Sequence, residues 1–65
     1  MADIFAIASA IRTARKEAGL TQEDLAHLAG TSERTVRAIE TGTGNPSLQA
    51  VASVANVLGL HLAAG

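Results

Sequence analysis

"TSERTVRAIETG", residues 31–42, reads as a short helix with two unlike faces. Val36 and Ile39 are spaced so that a helix brings both to one side. Glu33, Arg34 and Arg37 share another face that offers nothing apolar to bury. Ser32 is a residue type that caps a helix N-terminus, and Gly42 a type that ends one. Such a face is either simply solvated or kept polar because it touches something. The flanking sequence decides between the two.

Just upstream, Thr21 is placed to cap a helix over roughly residues 22–29, with Glu23 and Asp24 in its first turn, where the dipole favours anions. Leu20, Leu25, Leu28 and Ala29 supply its apolar side, and Gly30 stops it. Two short helices joined by the tight turn "AGTS" (29–32) make a helix-turn-helix unit over about residues 21–41. The second helix of such a unit enters the DNA major groove, and side chains of its first turns reach base edges. Small Ala29 and Gly30 let the helices approach, while Val36 and Ile39 anchor the second one. Arg34 is then best placed for a bidentate guanine contact, and Arg37 suits a base or a phosphate equally. Glu33 keeps three readings open: accepting from a cytosine amino group, repelling wrong bases, or favouring the helix N-terminus.

Further out, residues 3–18 predict a first helix capped by Asp3, with Ile4, Ile7, Ile11, Ala14 and Ala18 as its apolar stripe. Arg12, Arg15 and Lys16 gather at its C-terminal end, and Gly19 closes it. Downstream, "TGTGNP" (41–46) is a loop without the Gly-Lys-Ser/Thr of a phosphate-cradling P-loop. Pro46 precedes a last helix over about residues 47–58. Leu48, Val51, Ala55 and Leu58 form one apolar stripe on it; Ala50, Val54 and Val57 form a second. A small monomer needs only one, so the spare stripe predicts a subunit seam, continued by Leu60 and Leu62 and joined by Ile4 and Phe5. The segment "LHLAAG" (60–65) reads as a short strand or a frayed tail.

The totals set bounds. The 65 residues suit one domain spanning 1–65, with a core worth roughly 3–5 kcal/mol at most. Hydrophobic residues make up 48%, with Phe5 the only aromatic, a composition for packed helices rather than sheet. A formal net charge of −1 argues against a non-specific polyanion binder, though not against a reader whose few cations lie on one side. The absence of cysteine removes disulfide and thiolate chemistry and suits a cytoplasmic protein. "MADIFAIASAI" carries Asp3 where a secretory signal needs a cation, and its apolar run is too short to span a bilayer. His27 and His61 stand far apart with no other zinc-type ligand nearby, so no metal or cofactor is expected. Glu23 and Asp24 are adjacent, point apart on a helix and make poor acid/base partners. No enzymatic activity is expected.

The strongest pattern combines "GLTQEDLA" (19–26), "TVRAIETG" (35–42) and "NPSL" (45–48) in this order and spacing. With the residues between, it resembles the Cro/cI-type, or xenobiotic-response-element, helix-turn-helix family from about Ile7 to Leu60. The resemblance implies an all-α domain of four to five helices, with or without a short C-terminal strand. It implies that Ser32, Glu33, Arg34 and Arg37 belong to the reading helix, and that Gln22, Thr41, Thr43 and Asn45 lie at the phosphate backbone. It also implies a structural ion pair between Arg15 and Glu40, which leaves Arg12, Lys16, Arg34 and Arg37 as free cations. A homodimer on a palindromic operator follows, with half-sites about one helical turn apart. "RAIETGTGNPSLQAV" (37–51) and "VANVLGL" (54–60) are most similar to the HipB-like antitoxins. These repress their own operon and bind a toxin, usually a HipA-type kinase. A stand-alone phage-type repressor, a restriction-system controller, or an interaction module that has lost DNA binding are the other readings.

Overall fold

The computed structural model describes residues 4–60. Asp3, His61 and Leu62 therefore lie outside the described residues. Four helices follow one another: α1 (Ile4–Glu17), α2 (Gln22–Ala29), α3 (Glu33–Thr41) and α4 (Leu48–Val57). No strand occurs among the described residues.

Local chemistry sets each boundary. Thr21 and Asp24 form a reciprocal capping box: Thr21 Oγ1 accepts from the Asp24 N–H at 2.9 Å, and the Thr21 N–H donates to Asp24 Oδ2 at 3.1 Å. Ser32 and Ser47 cap α3 and α4, accepting from the N–H groups of Thr35 and Ala50. All four helices end with a glycine followed by a residue whose N–H reaches back to the last turn, as Thr43 does to Ala38 at 3.1 Å. This is the Schellman arrangement, which satisfies carbonyls the helix itself leaves open.

The Thr21 N–H holds the Asp24 carboxyl below the ordinary aspartate range, chiefly by favouring its charged form. A group whose folded pKa is depressed stabilises above its unfolded pKa, and that contribution disappears as pH falls through the folded one. An NMR titration of the Asp24 carboxyl should therefore show a midpoint below about 3.9. A midpoint at or above that value would mean the box is open in solution.

Gly42 has φ +69°, the left-handed region that L side chains avoid, and a Cβ there would come within 3.2 Å of the Phe5 ring. Gly30 has the same φ and open space around it. Gly30→Ala should therefore cost only the backbone strain, roughly 1–2 kcal/mol. Gly42→Ala should cost more, and adding Phe5→Ala should remove the excess. Thermal melts of these three variants and of Phe5→Ala alone check this, and equal losses for the two glycine substitutions would contradict it.

α1 packs on α3, α3 on α2, and α2 on α4. Ile11, Leu25, Ala26, Val36, Ile39 and Val54 meet at the centre, with Ile7, Ala29, Val51, Leu58 and Leu60 against them. Val36 and Ile39 thus face inward as the sequence predicts. α4 does not follow its two predicted stripes. Val54, expected at a subunit seam, is 0% exposed inside the chain's own core, and Leu60 is half-buried against that core. Leu48, expected in the core stripe, is 79% exposed and lines an apolar groove with Ile4, Ile7, Ile39, Pro46 and Val51. The inward face of α4 runs through Val51, Val54, Ala55 and Leu58, because α2 packs there. Ala50 is half-buried, and Val57 is exposed at 38%. Leu28, expected on the apolar side of α2, lies open to solvent, as does Ile4, which the sequence places both on the α1 stripe and at the seam.

Candidate nucleic-acid interface

α2, the turn and α3 set the site. Leu25 and Ala26 of α2 meet Val36 and Ile39 of α3 in the core, so the opposite side of α3 faces outward. Ser32, Glu33, Arg34 and Arg37 are all exposed on it. Ser32 Oγ accepts from the Thr35 N–H at 3.1 Å and lies 2.9 Å from Thr35 Oγ1, so its hydroxyl is already oriented by the cap. Arg37 Nη2 donates to Glu33 Oε2 at 3.3 Å, one helical turn back. Arg34 has no ion-pair partner among the described residues.

A buried polar network fixes the angle at which α3 is presented. Arg15 of α1 donates from Nε to Glu40 Oε2 at 2.6 Å and from Nη2 to Glu40 Oε1 at 3.1 Å. Its Nη1 donates to the Leu20 carbonyl at 2.8 Å, at the entry to α2. Arg15 and Glu40 are 9% and 7% exposed. The hydrogen bonds to Glu40 push the guanidinium pKa above its ordinary value, against the opposing effect of burial. Arg15 therefore stays charged, and the fork geometry ties α1, α3 and the α1–α2 turn together. Among the described residues, no buried side-chain nitrogen or oxygen lacks a hydrogen-bond partner.

Gln22 joins this network: its Nε2 donates to Glu40 Oε1 at 3.3 Å. It is half-buried at the first position of α2, where backbone N–H groups have no helical acceptor. At the far end of α3, Thr41 Oγ1 donates to the Arg37 carbonyl at 2.9 Å and lies 2.7 Å from Thr43 Oγ1. Thr43 and Asn45 are exposed on the loop that follows. The structure thus brings Arg15, Glu40 and Gln22 together, and Thr41 with Thr43. Arg37, expected among the free cations, is paired with Glu33 across an exposed contact. Their spacing of four residues on a helix is the signal that could have found the pair. The Gln22–Glu40 bond has no such local signal.

Among the described residues, no helix is long and apolar enough to cross a membrane, and no group of three or more His, Asp or Glu residues could hold a metal ion.

Residues 11–64 match the Helix-turn-helix family. The chain belongs to the Cro/cI-type helix-turn-helix family of DNA-binding transcription regulators. It is also 47% identical, over 49 residues, to an uncharacterized HTH-type transcriptional regulator of Methanothermobacter thermautotrophicus. That alignment covers 75% of this chain and 71% of the relative.

Proposed function

We propose that this helix-turn-helix protein is a sequence-specific repressor that binds a palindromic operator as a homodimer in the cytoplasm. The observation that carries the reading is the outward face of α3. It is polar, exposed and held at a fixed angle by the Arg15–Glu40 pair, and it has Arg34 in its first turn with no ion-pair partner among the described residues. Ser32, Glu33, Arg34 and Arg37 read bases. Gln22, Thr41, Thr43 and Asn45 meet phosphate, and backbone N–H groups at the start of α2 share that work. Ala50 and Val57 remain as the seam residues of α4.

The protein is further proposed to be the antitoxin of a toxin–antitoxin operon. It would repress its own promoter and bind its toxin, a HipA-type kinase. Support for this narrower reading is the similarity of residues 37–60 to the HipB-like antitoxins.

The test is selection of bound duplexes from a random DNA pool, run with the native chain and with Arg34→Ala. The native chain should enrich a palindrome. Arg34→Ala should bind it more weakly by about 1–3 kcal/mol and lose preference at one base pair in each half-site. No enrichment at low salt, where phosphate contacts are strongest, would sink the reading. Co-purification with the product of the adjacent gene tests the antitoxin role, and a chain that binds DNA but no neighbouring product would be a stand-alone repressor.

A further inference from the structure

We infer that Glu33 determines specificity by exclusion: its carboxylate offsets one positive charge of the reading face, and so weakens binding to non-operator DNA more than binding to the operator. The inference rests on the DNA-reading assignment above. Glu33 opens α3, and its Oε2 lies 3.3 Å from Arg37 Nη2. The side chains are 45% and 62% exposed, so water screens the pair and it holds Arg37 only weakly. Whether the pair is open or closed, the negative charge stays on this face.

Attraction to phosphate is the part of affinity that every DNA sequence shares. A carboxylate paired with Arg37, on the outward side of α3 that also carries Arg34, subtracts from that part at every site. At base edges the same group discriminates. Guanine N7 and O6 and thymine O4 are acceptors and repel it, whereas cytosine N4 and adenine N6 are donors. Only a site that presents a donor replaces the water the carboxylate gives up. Glu33 therefore lowers binding to random DNA and returns part of that loss at the operator, which raises the ratio between them. The net charge of −1 over the whole chain acts in the same direction, leaving little unspecific attraction to dilute the readout.

A purely structural Glu33, present only to favour the α3 N-terminus, makes a different forecast. The experiment uses the full chain as native protein, Glu33→Gln and Glu33→Asp, with thermal melts to confirm folding. Each is titrated across salt against two probes: the duplex the native chain enriches, and the unselected random pool. Glu33→Gln should bind the random pool about three- to tenfold more tightly near 0.1 M salt, with a salt slope steeper by about 0.9. Reselection with it should also lose preference at one base pair in each half-site. Glu33→Asp keeps the charge and should bind the pool as the native chain does. Unchanged pool affinity and slope for Glu33→Gln would overturn the inference. Equal tightening by Glu33→Asp would overturn it too, since charge would not be the cause. If the native chain enriches a palindrome and Glu33→Gln behaves like it, exclusion alone fails. If the native chain enriches nothing, the DNA-reading assignment fails and takes this inference with it.

Discussion

Glu40→Ala is expected to lose about 3–5 kcal/mol of stability, because it leaves the Arg15 guanidinium buried with no carboxylate against it. A core of this size supplies roughly that much in total, so the variant should be largely unfolded at 25 °C. The reason is the asymmetry of buried charge. The intact pair gains little over an apolar substitute, since both ions have left water, yet removing one partner strands the other. Arg15→Met/Glu40→Met should therefore be milder than Glu40→Ala alone, even though it removes more polar groups. Urea unfolding followed by helical circular dichroism measures both. A Glu40→Ala loss below about 1 kcal/mol would place the pair with surface ion pairs, open to water. The double variant also separates stability from presentation. Without Glu40, Gln22 loses the acceptor 3.3 Å from its Nε2 and α3 loses its ion pair with α1. A folded Arg15→Met/Glu40→Met chain should thus bind DNA more weakly than the native one.

The parts of this molecule legible in its sequence are those fixed within one or two helical turns. Thr21 with Asp24 and Ser32 with Thr35 are contacts between residues three positions apart, and Thr43 reaches back five to Ala38, as the caps require. Val36 and Ile39 were readable for the same reason, since α3 has little else to bury. α4 was different. It is apolar on most sides, so composition alone leaves its rotation open, and the position of α2 decides that Val54 points inward while Leu48 stays exposed. Leu28 went the same way: it belongs to the apolar side of α2 in the sequence, yet lies open to solvent. Arg15 and Glu40 lie 25 residues apart, and nothing in their spacing joins them. Only the family resemblance pointed to that pair. The outward polar face of α3 was legible as a face. That Arg37 leans on Glu33 rather than standing free is a detail the i, i+4 spacing carried.

Val54→Asp should abolish folding, whereas Val57→Asp, three residues on, should leave a folded chain. Val54 has 0% exposure and touches the shared core, so an aspartate there would be an unpaired charge with no route to water. Such burial costs several kcal/mol, and the group can escape part of it only by taking up a proton. Against a total of roughly 3–5 kcal/mol, the native state does not survive. Val57 is already 38% exposed near the end of α4, where a carboxylate stays hydrated, although it sits unfavourably near the negative end of the helix dipole. Its fold should lose about 1 kcal/mol or less. The two variants therefore answer different questions. Val54 reports on the core of one chain, and Val57 on the surface proposed for a second copy. Circular dichroism with light scattering reads both. A folded Val57→Asp monomer, beside a native dimer, would place the seam on this side of α4. A folded Val57→Asp dimer would move it elsewhere, with the exposed Ile4, Phe5 and Leu48 surface the next place to substitute. A folded Val54→Asp chain would contradict the packing of α4 on α2 itself.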